Sequence, residues 1–461
     1  MTRSMALALL LACGGPGSGG DDADDAPAPD AAVLEDGGVT PRVDAGPSDE
    51  TLADSVAFQG GPIVFHFAEE YVVGQFVNGD WWVHNRGGDV VITAIDPASV
   101  DGDRVMHGTM LDPANAGSQG YDSAARDMGF EATLNVDPAF SGEDLVVSPT
   151  SSVIKGVSTE SDEGRPILSD AAVLTVLAAT PPRDSFRPPY VGTRAVVATA
   201  ADLDYSVLGR HPRLGGEPDI TDLAGRYRHV WLEHNTAWTS RDIHPANHMP
   251  AYGRDLARNS AEGLILLQLD YPDEDKEAVL IGLVQYGIDI YGIAREGGAW
   301  NANGGHNLGR KMPLLLAGTV LHHAEMLEYA NAEEHFIFQD DQQHFFVSMA
   351  EVDMTHSGAW DPDERAEPTP YETSDIGLPE WGIRHHDRPQ ADNKNWGATY
   401  RHVNGPSQTM QVFAARLMGV VDAWAWPPVF AYTDRYVDTE GHVGPDWFGP
   451  LYDAYRGDST P

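Results

Sequence analysis

Three segments in the second half of the chain gather side chains that can hold an anion, move a proton or stack on a sugar. The first runs from Gly297 to Lys311 and sets Asn303, His306, Asn307, Arg310 and Lys311 among five glycines. Glycine lets backbone approach closely, and the helix expected next offers free amides, so this turn reads as a pocket for a carboxylate or another anionic oxygen. The second, Arg241 to Arg254, brings His244, His248, Tyr252 and Arg254 to the entry of a helix. Pro245 interrupts the regular helical face that an HExxH zinc site requires, so a substrate-contact loop is the expectation there. The third, Leu378 to Pro389, carries Trp381, Arg384, His385 and His386, with Trp396, Tyr400, Arg401 and His402 close behind. Histidine exchanges a proton near neutral pH, a tyrosine among cations is easier to ionise, and a tryptophan face can stack on a sugar ring.

No GxSxG elbow, phosphate-binding loop, dinucleotide fingerprint or internal cysteine nucleophile is present, so serine hydrolases, NTPases and nicotinamide enzymes are not expected. Asp289, Asp340, Asp341 and Glu380 supply carboxylates for a glycoside hydrolase, the first alternative. Asp289 sits in an apolar stretch and needs Arg254, Arg310 or another donor. Trp81 and Trp82 with the loop aromatics suit a non-catalytic glycan-binding surface, the second alternative.

The elements that must position these loops change in texture along the chain. Between residues 55 and 200 the apolar runs are short: Ile63 to Phe67, Tyr71 to Phe76, Trp81 to His84, Val90 to Ile95, Leu145 to Ser148 and Ala172 to Leu177. Glycine-bearing turns bound them, which predicts an antiparallel β-sandwich domain. From 215 to 461 the runs lengthen and take helical spacing over Tyr252 to Leu269, Lys276 to Ala294, Met312 to Tyr329 and Gln408 to Ala425. The expected class is therefore α+β with two domains, the three chemical segments falling in loops of the helical one.

At the other end, Arg3, the apolar run Met5 to Ala12 and Leu10-Leu11-Ala12-Cys13 fit a lipoprotein signal peptide of residues 1 to 12, cut before Cys13. Cys13, the only cysteine, would be lipidated, making the protein an exported lipoprotein of the outer membrane or cell surface. Residues 13 to 54 are rich in Gly, Asp, Ala and Pro and read as a disordered acidic tether. A net charge of −41 with Lys155, Lys276, Lys311 and Lys394 as the only lysines repels nucleic acid and suits a halophilic setting. An anionic substrate then needs a locally positive pocket.

With its Asn, His, Tyr and Arg residues in loops of the helical region, the chain resembles bacterial uronic-acid polysaccharide lyases that combine an α/α toroid with a β-sandwich. That resemblance implies an α/α-toroid-like catalytic domain and β-elimination on an anionic polysaccharide. It implies Asn303 and Arg310 at the uronate carboxylate, His306 or His385 as base or neutraliser, and Tyr400 as base or acid. His244, His248, Tyr252, Arg254, Trp381 and Arg401 would contact substrate. No cofactor is required, and a divalent metal in place of the cationic neutraliser stays open.

Overall fold

The computed structural model describes residues 49–58, 61–248, 253–360, 369–382, 400–441 and 444–457, with backbone only at 400; the signal segment and Cys13 lie outside them. The strands are β1 (Thr51–Ala57), β2 (Val64–Gln75), β3 (Trp81–His84), β4 (Val90–Asp96), β5 (Thr109–Leu111), β6 (Ser118–Gln119), β7 (Gly129–Phe130), β8 (Leu145–Val147), β9 (Ser151–Ser158) and β10 (Leu168–Val176). All but β6 and β7 join one eight-stranded sheet in the order β5-β9-β10-β3-β2-β4-β8, with β1 on β2. Residues 51 to 54 thus belong to the sheet and not to the tether.

The two runs expected from Ile63 to Phe76 are a single bent strand. β4 pairs with its first half, Val64 to Phe67, and β3 with its second, Val72 to Gln75, while β1 follows both halves. The sheet therefore curls, and Phe65, Val73, Val90, Ile92, Val153, Ala172, Leu174 and Val176 pack inside the curl. Side chains alternate along a strand, so Ile154, Ala171 and Val173 of the same strands point the other way. They enter a second, larger core shared with the helices. This double burial explains why β9 and β10 are covered on both faces.

The helices are α1 (Pro138–Ser141), α2 (Gly253–Leu267), α3 (Asp273–Arg295), α4 (Lys311–Val320), α5 (Ala324–Ala330), α6 (Gln339–Gln342), α7 (Met349–Thr355), α8 (Tyr400–Leu417), α9 (Val421–Trp424), α10 (Pro427–Glu440) and α11 (Phe448–Tyr455). A short hairpin of β11 (His344–Phe346) and β12 (Pro379–Trp381) lies between them in sequence. α3 is long and apolar enough to cross a membrane, but it is buried from Val279 to Ala294 as the central core helix. The one acid of that buried stretch, Asp289, meets neither Arg254 nor Arg310. Fully buried Arg187 donates to it from Nη1 and Nη2 (3.0 and 2.6 Å) and to Asp80 from Nε (2.6 Å), tying α3 to the β2–β3 turn. The helix expected over Met312 to Tyr329 is two helices, because His322 takes a positive φ of 51° and His323 caps α5 by accepting from the Met326 amide.

Candidate functional site

The glycine-rich turn is held from three sides. Gly253 opens α2 directly against it, and a Cβ at that position would overlap the His306 carbonyl. On the opposite flank Gly305 lies against Asn404 of α8. From below, α6 supplies side chains where a regular element would supply backbone. Gln339 Oε1 accepts from the Asn303 and Asn307 amides (3.2 and 3.0 Å), Gln342 Oε1 from Ala302 (2.6 Å), and Asp340 Oδ1 from Gly309 (3.0 Å). Gln339 Nε2 donates to the Gly304 carbonyl (3.0 Å). Buried backbone groups must be paired, and a turn with this much glycine cannot pair its own, so the run from Gln339 to Gln343 acts as its hydrogen-bonding template.

Arg310 leaves this turn fully buried. Its Nε and Nη2 donate to Glu233 Oε2 (3.2 and 3.1 Å), and Nη1 to the carbonyls of His306 and Leu308 (3.0 and 2.8 Å). Glu233 Oε1 accepts from Tyr286 Oη (3.1 Å) and lies 3.6 Å from His244 Nε2. Burial pushes the Glu233 carboxyl up, but Arg310 and His244 together outweigh it and hold it at about 2. The tyrosine phenols nearby are raised, Tyr190 and Tyr286 chiefly by burial, so both stay protonated.

His306 is only partly buried, with the Trp238 ring 6.0 Å away at 60° and the Arg241 guanidinium 4.7 Å above that same ring. Burial first, then the charges of Arg241, Arg310 and Arg165 and the neighbouring His244, lower its pKa to about 3, so the ring is neutral. Arg241 and Arg165 share Asp127, and Arg165 Nε also reaches Asp242 (3.2 Å). His234 is fully buried between the rings of Tyr121 and Tyr190, each 5.9 Å away, and neither of its nitrogens has a hydrogen-bond partner. Burial lowers it to about 4.

The structure thus brings His306, Asn303, Arg310 and His244 together, though with roles other than those expected for two of them. The Arg310 donors are committed to Glu233 and to loop carbonyls, so it frames the turn and adds charge without being open to a carboxylate. His244 is buried beneath it. His248 is turned away, its ring nitrogens at 2.6 Å from the Val230 carbonyl and from Asp170 Oδ1 on β10. Arg254 is half-exposed on the first turn of α2 beside Asp255 (3.6 Å). Trp381 is fully buried against His344 and Tyr432, and Arg401 is fully buried 3.4 Å from Glu380, so neither offers a surface to a sugar in this conformation. His385, Tyr252 and the Tyr400 side chain lie outside the described residues. Trp82 is buried in the sheet, and Trp81 donates Nε1 to the Ala57 carbonyl (3.0 Å).

Sequence reasoning missed Glu233, His234, Trp238 and Arg165. The signal was present in Glu233-His234-Asn235-Thr236, four polar residues in a row between Trp231-Leu232 and Ala237-Trp238, all buried in the fold. Among the described residues no group of three or more His, Cys, Asp or Glu is placed to hold a metal ion. No protein-family model, curated protein or solved structure matches the chain.

Proposed function

We propose that the protein is a polysaccharide lyase that cleaves a uronic-acid-containing polymer by β-elimination. The observation that carries this reading is His306: a neutral, partly exposed imidazole beside a tryptophan face, with three arginines around it, on a chain of net charge −41. Elsewhere the acidic field repels an anion; here the guanidinium groups of Arg241 and Arg165, though paired with Asp127 and Asp242, temper that field. Once a carboxylate is bound, its negative charge offsets the arginines that hold the imidazole pKa down, so proton affinity rises where the C5 proton must be taken. Arg241, Arg165 and Asn303 stabilise the developing enolate, His306 accepts the proton, and Trp238 stacks on the sugar. Tyr400 or His385 would protonate the departing oxygen. The likeness to toroid lyases and the anchoring of an exported lipoprotein through Cys13 belong to the same proposal.

The hydrolase alternative draws no support from its carboxylates. Asp340 accepts from the Gly309 amide, Asp341 from Lys311 Nζ (2.8 Å) and Trp424 Nε1 (2.6 Å), Asp289 from Arg187, and Glu380 lies beside Arg401. The test is to incubate the purified protein with alginate, glucuronan, hyaluronan, chondroitin, pectate and ulvan and to follow the ultraviolet absorbance of unsaturated uronates. Absorbance should rise on at least one polymer and be lost in His306→Ala. New reducing ends without that absorbance would overturn the lyase reading in favour of hydrolysis, and binding without new ends would overturn it in favour of a glycan receptor.

A further inference from the structure

The interior face of α8 is polar where a core helix face is ordinarily apolar. Arg401, Asn404, Gln408 and Gln411 recur at helical intervals and are exposed by 0, 0, 2 and 0%. The two ends of this stripe reach named partners, although Gln411 Oε1 has no donor. Arg401 faces Glu380, and Gln411 Nε2 donates to the Ala257 carbonyl (2.5 Å) and to Ser260 Oγ (2.8 Å) on α2.

The middle is different. Asn404 Nδ2 and Gln343 Nε2 both donate to the Gly304 carbonyl oxygen, at 2.6 and 3.0 Å. Sharing one acceptor brings the two side chains together and settles which end of each amide is oxygen, since turning either would set oxygen against oxygen. Asn404 Oδ1 and Gln343 Oε1 are then left without a donor. One helical turn along the same face, neither Oε1 nor Nε2 of Gln408 has a partner. Buried polar atoms are nearly always paired, and four idle atoms on three neighbouring side chains are a concentrated exception. Loose construction does not explain it, because the adjoining Gln339 and Gln342 use their amide ends on specific partners. Gln343 leads directly into His344, whose ring lies 4.8 Å from Trp381 and 5.2 Å from Tyr432.

We propose that Gln343, Asn404 and Gln408 form an enclosed binding site for an uncharged, hydroxyl-rich small molecule of the sugar or polyol class. The idle atoms are amide groups, and Arg401 at the head of the stripe faces Glu380, one charge of each sign, so among the described residues nothing here calls for a charged ligand. Carbonyl oxygens would repel an anion, and the Gln408 amide nitrogen among them disfavours a cation. A hydroxyl both donates and accepts, which is what a mixture of carbonyl oxygens and one free amide requires. Burial of all three side chains limits the occupant to a small molecule that is surrounded, in contrast to a polymer lying across a surface. The site does not rest on the lyase reading, because it is defined by binding and not by turnover.

The experiment uses the full chain and its Gln408→Leu variant, which removes two unpartnered atoms and no bond seen in the fold. Glucose, galactose, mannose and xylose form one arm, glycerol and sorbitol a second, and glucuronate and galacturonate the charged comparison, each followed by ligand-observed NMR and by Tm. Expected is saturable binding of a member of one neutral arm, with a raised Tm, unaffected by excess uronate. Gln408→Leu should weaken that binding by about tenfold or more while its own Tm, without ligand, equals or exceeds that of the unchanged protein. The proposal is overturned if neither neutral arm binds at millimolar concentration. It is equally overturned if Gln408→Leu binds as well as the unchanged protein, or if a crystal soaked with the binding compound shows only ordered water at the four atoms.

Discussion

Replacing His234 with phenylalanine should remove a fixed part of the protein's sensitivity to acid. His234 is held neutral by burial, its pKa falling from 6.5 to about 4. Below 6.5 the unfolded chain takes up a proton that the folded chain refuses, so this group's contribution is complete above pH 6.5 and is lost as the pH falls toward 4. At pH 5.0 the difference amounts to about 2 kcal/mol for this one residue. His306 and His344, both lowered to about 3 chiefly by burial, act in the same direction with similar size. Asp289 and Asp340, both raised to about 6 by burial, act oppositely, each gaining about 1.4 kcal/mol over the same interval. The total for the unchanged protein therefore mixes signs, and the variant isolates one term. Urea denaturation at pH 7.5 and pH 5.0 gives the change in stability between the two. In His234→Phe that change should be shifted by about 2 kcal/mol, the variant being relatively better at pH 5.0. An unaltered difference would refute the claim that His234 is kept neutral in the fold.

Arg310→Met leaves the Glu233 carboxylate buried without its guanidinium and should cost about 3–5 kcal/mol in chemical denaturation, part of it recovered by adding Glu233→Gln; a cost below about 1 kcal/mol would mean the pair does not frame the turn. Gly253→Ala puts a methyl group into the His306 carbonyl and should destabilise by about 1–3 kcal/mol, read as a lower Tm, whereas an unchanged Tm would mean that α2 and the turn do not touch. Arg241→Ala removes a cation beside His306, so the imidazole pKa should rise in an NMR titration while turnover of the anionic polymer falls; a pKa that moves down would show that the guanidinium does not face the ring.

The sheet and the helices could be read from apolar spacing because their burial is periodic, but the joins between them could not. The runs on either side of Ala68, Glu69 and Glu70 looked like two strands, since three exposed residues at the bend of β2 interrupt the alternation that identifies a strand. α8 begins eight residues before the expected Gln408, because Gly405 and Pro406 read as breakers although the helix carries both. The turn that holds His306 was visible from its glycines. What braces it was not, since Gln339 to Gln343 is so polar that composition alone places it on the surface, and only the need to pair the buried turn's amides puts it inside. Trp381 and Arg401 show the reverse: their types suit a binding surface, but tertiary packing turned them inward, a choice on which one sequence carries no information.

Asn404 clasps the turn at Gly304, and Gln411 clasps α2 at Ala257 and Ser260, from about a hundred and about a hundred and fifty positions later in the chain. During synthesis, then, the imidazoles and guanidiniums emerge well before the helix that fixes their frame. A growing chain that has reached Lys311 possesses His306, Asn303, Trp238, Arg241 and Arg165 and lacks Gln339, Gln343 and α8, which hold the turn in shape. The frame of the turn is thus completed only once α8, residues 400 to 417, has been made and folded into place.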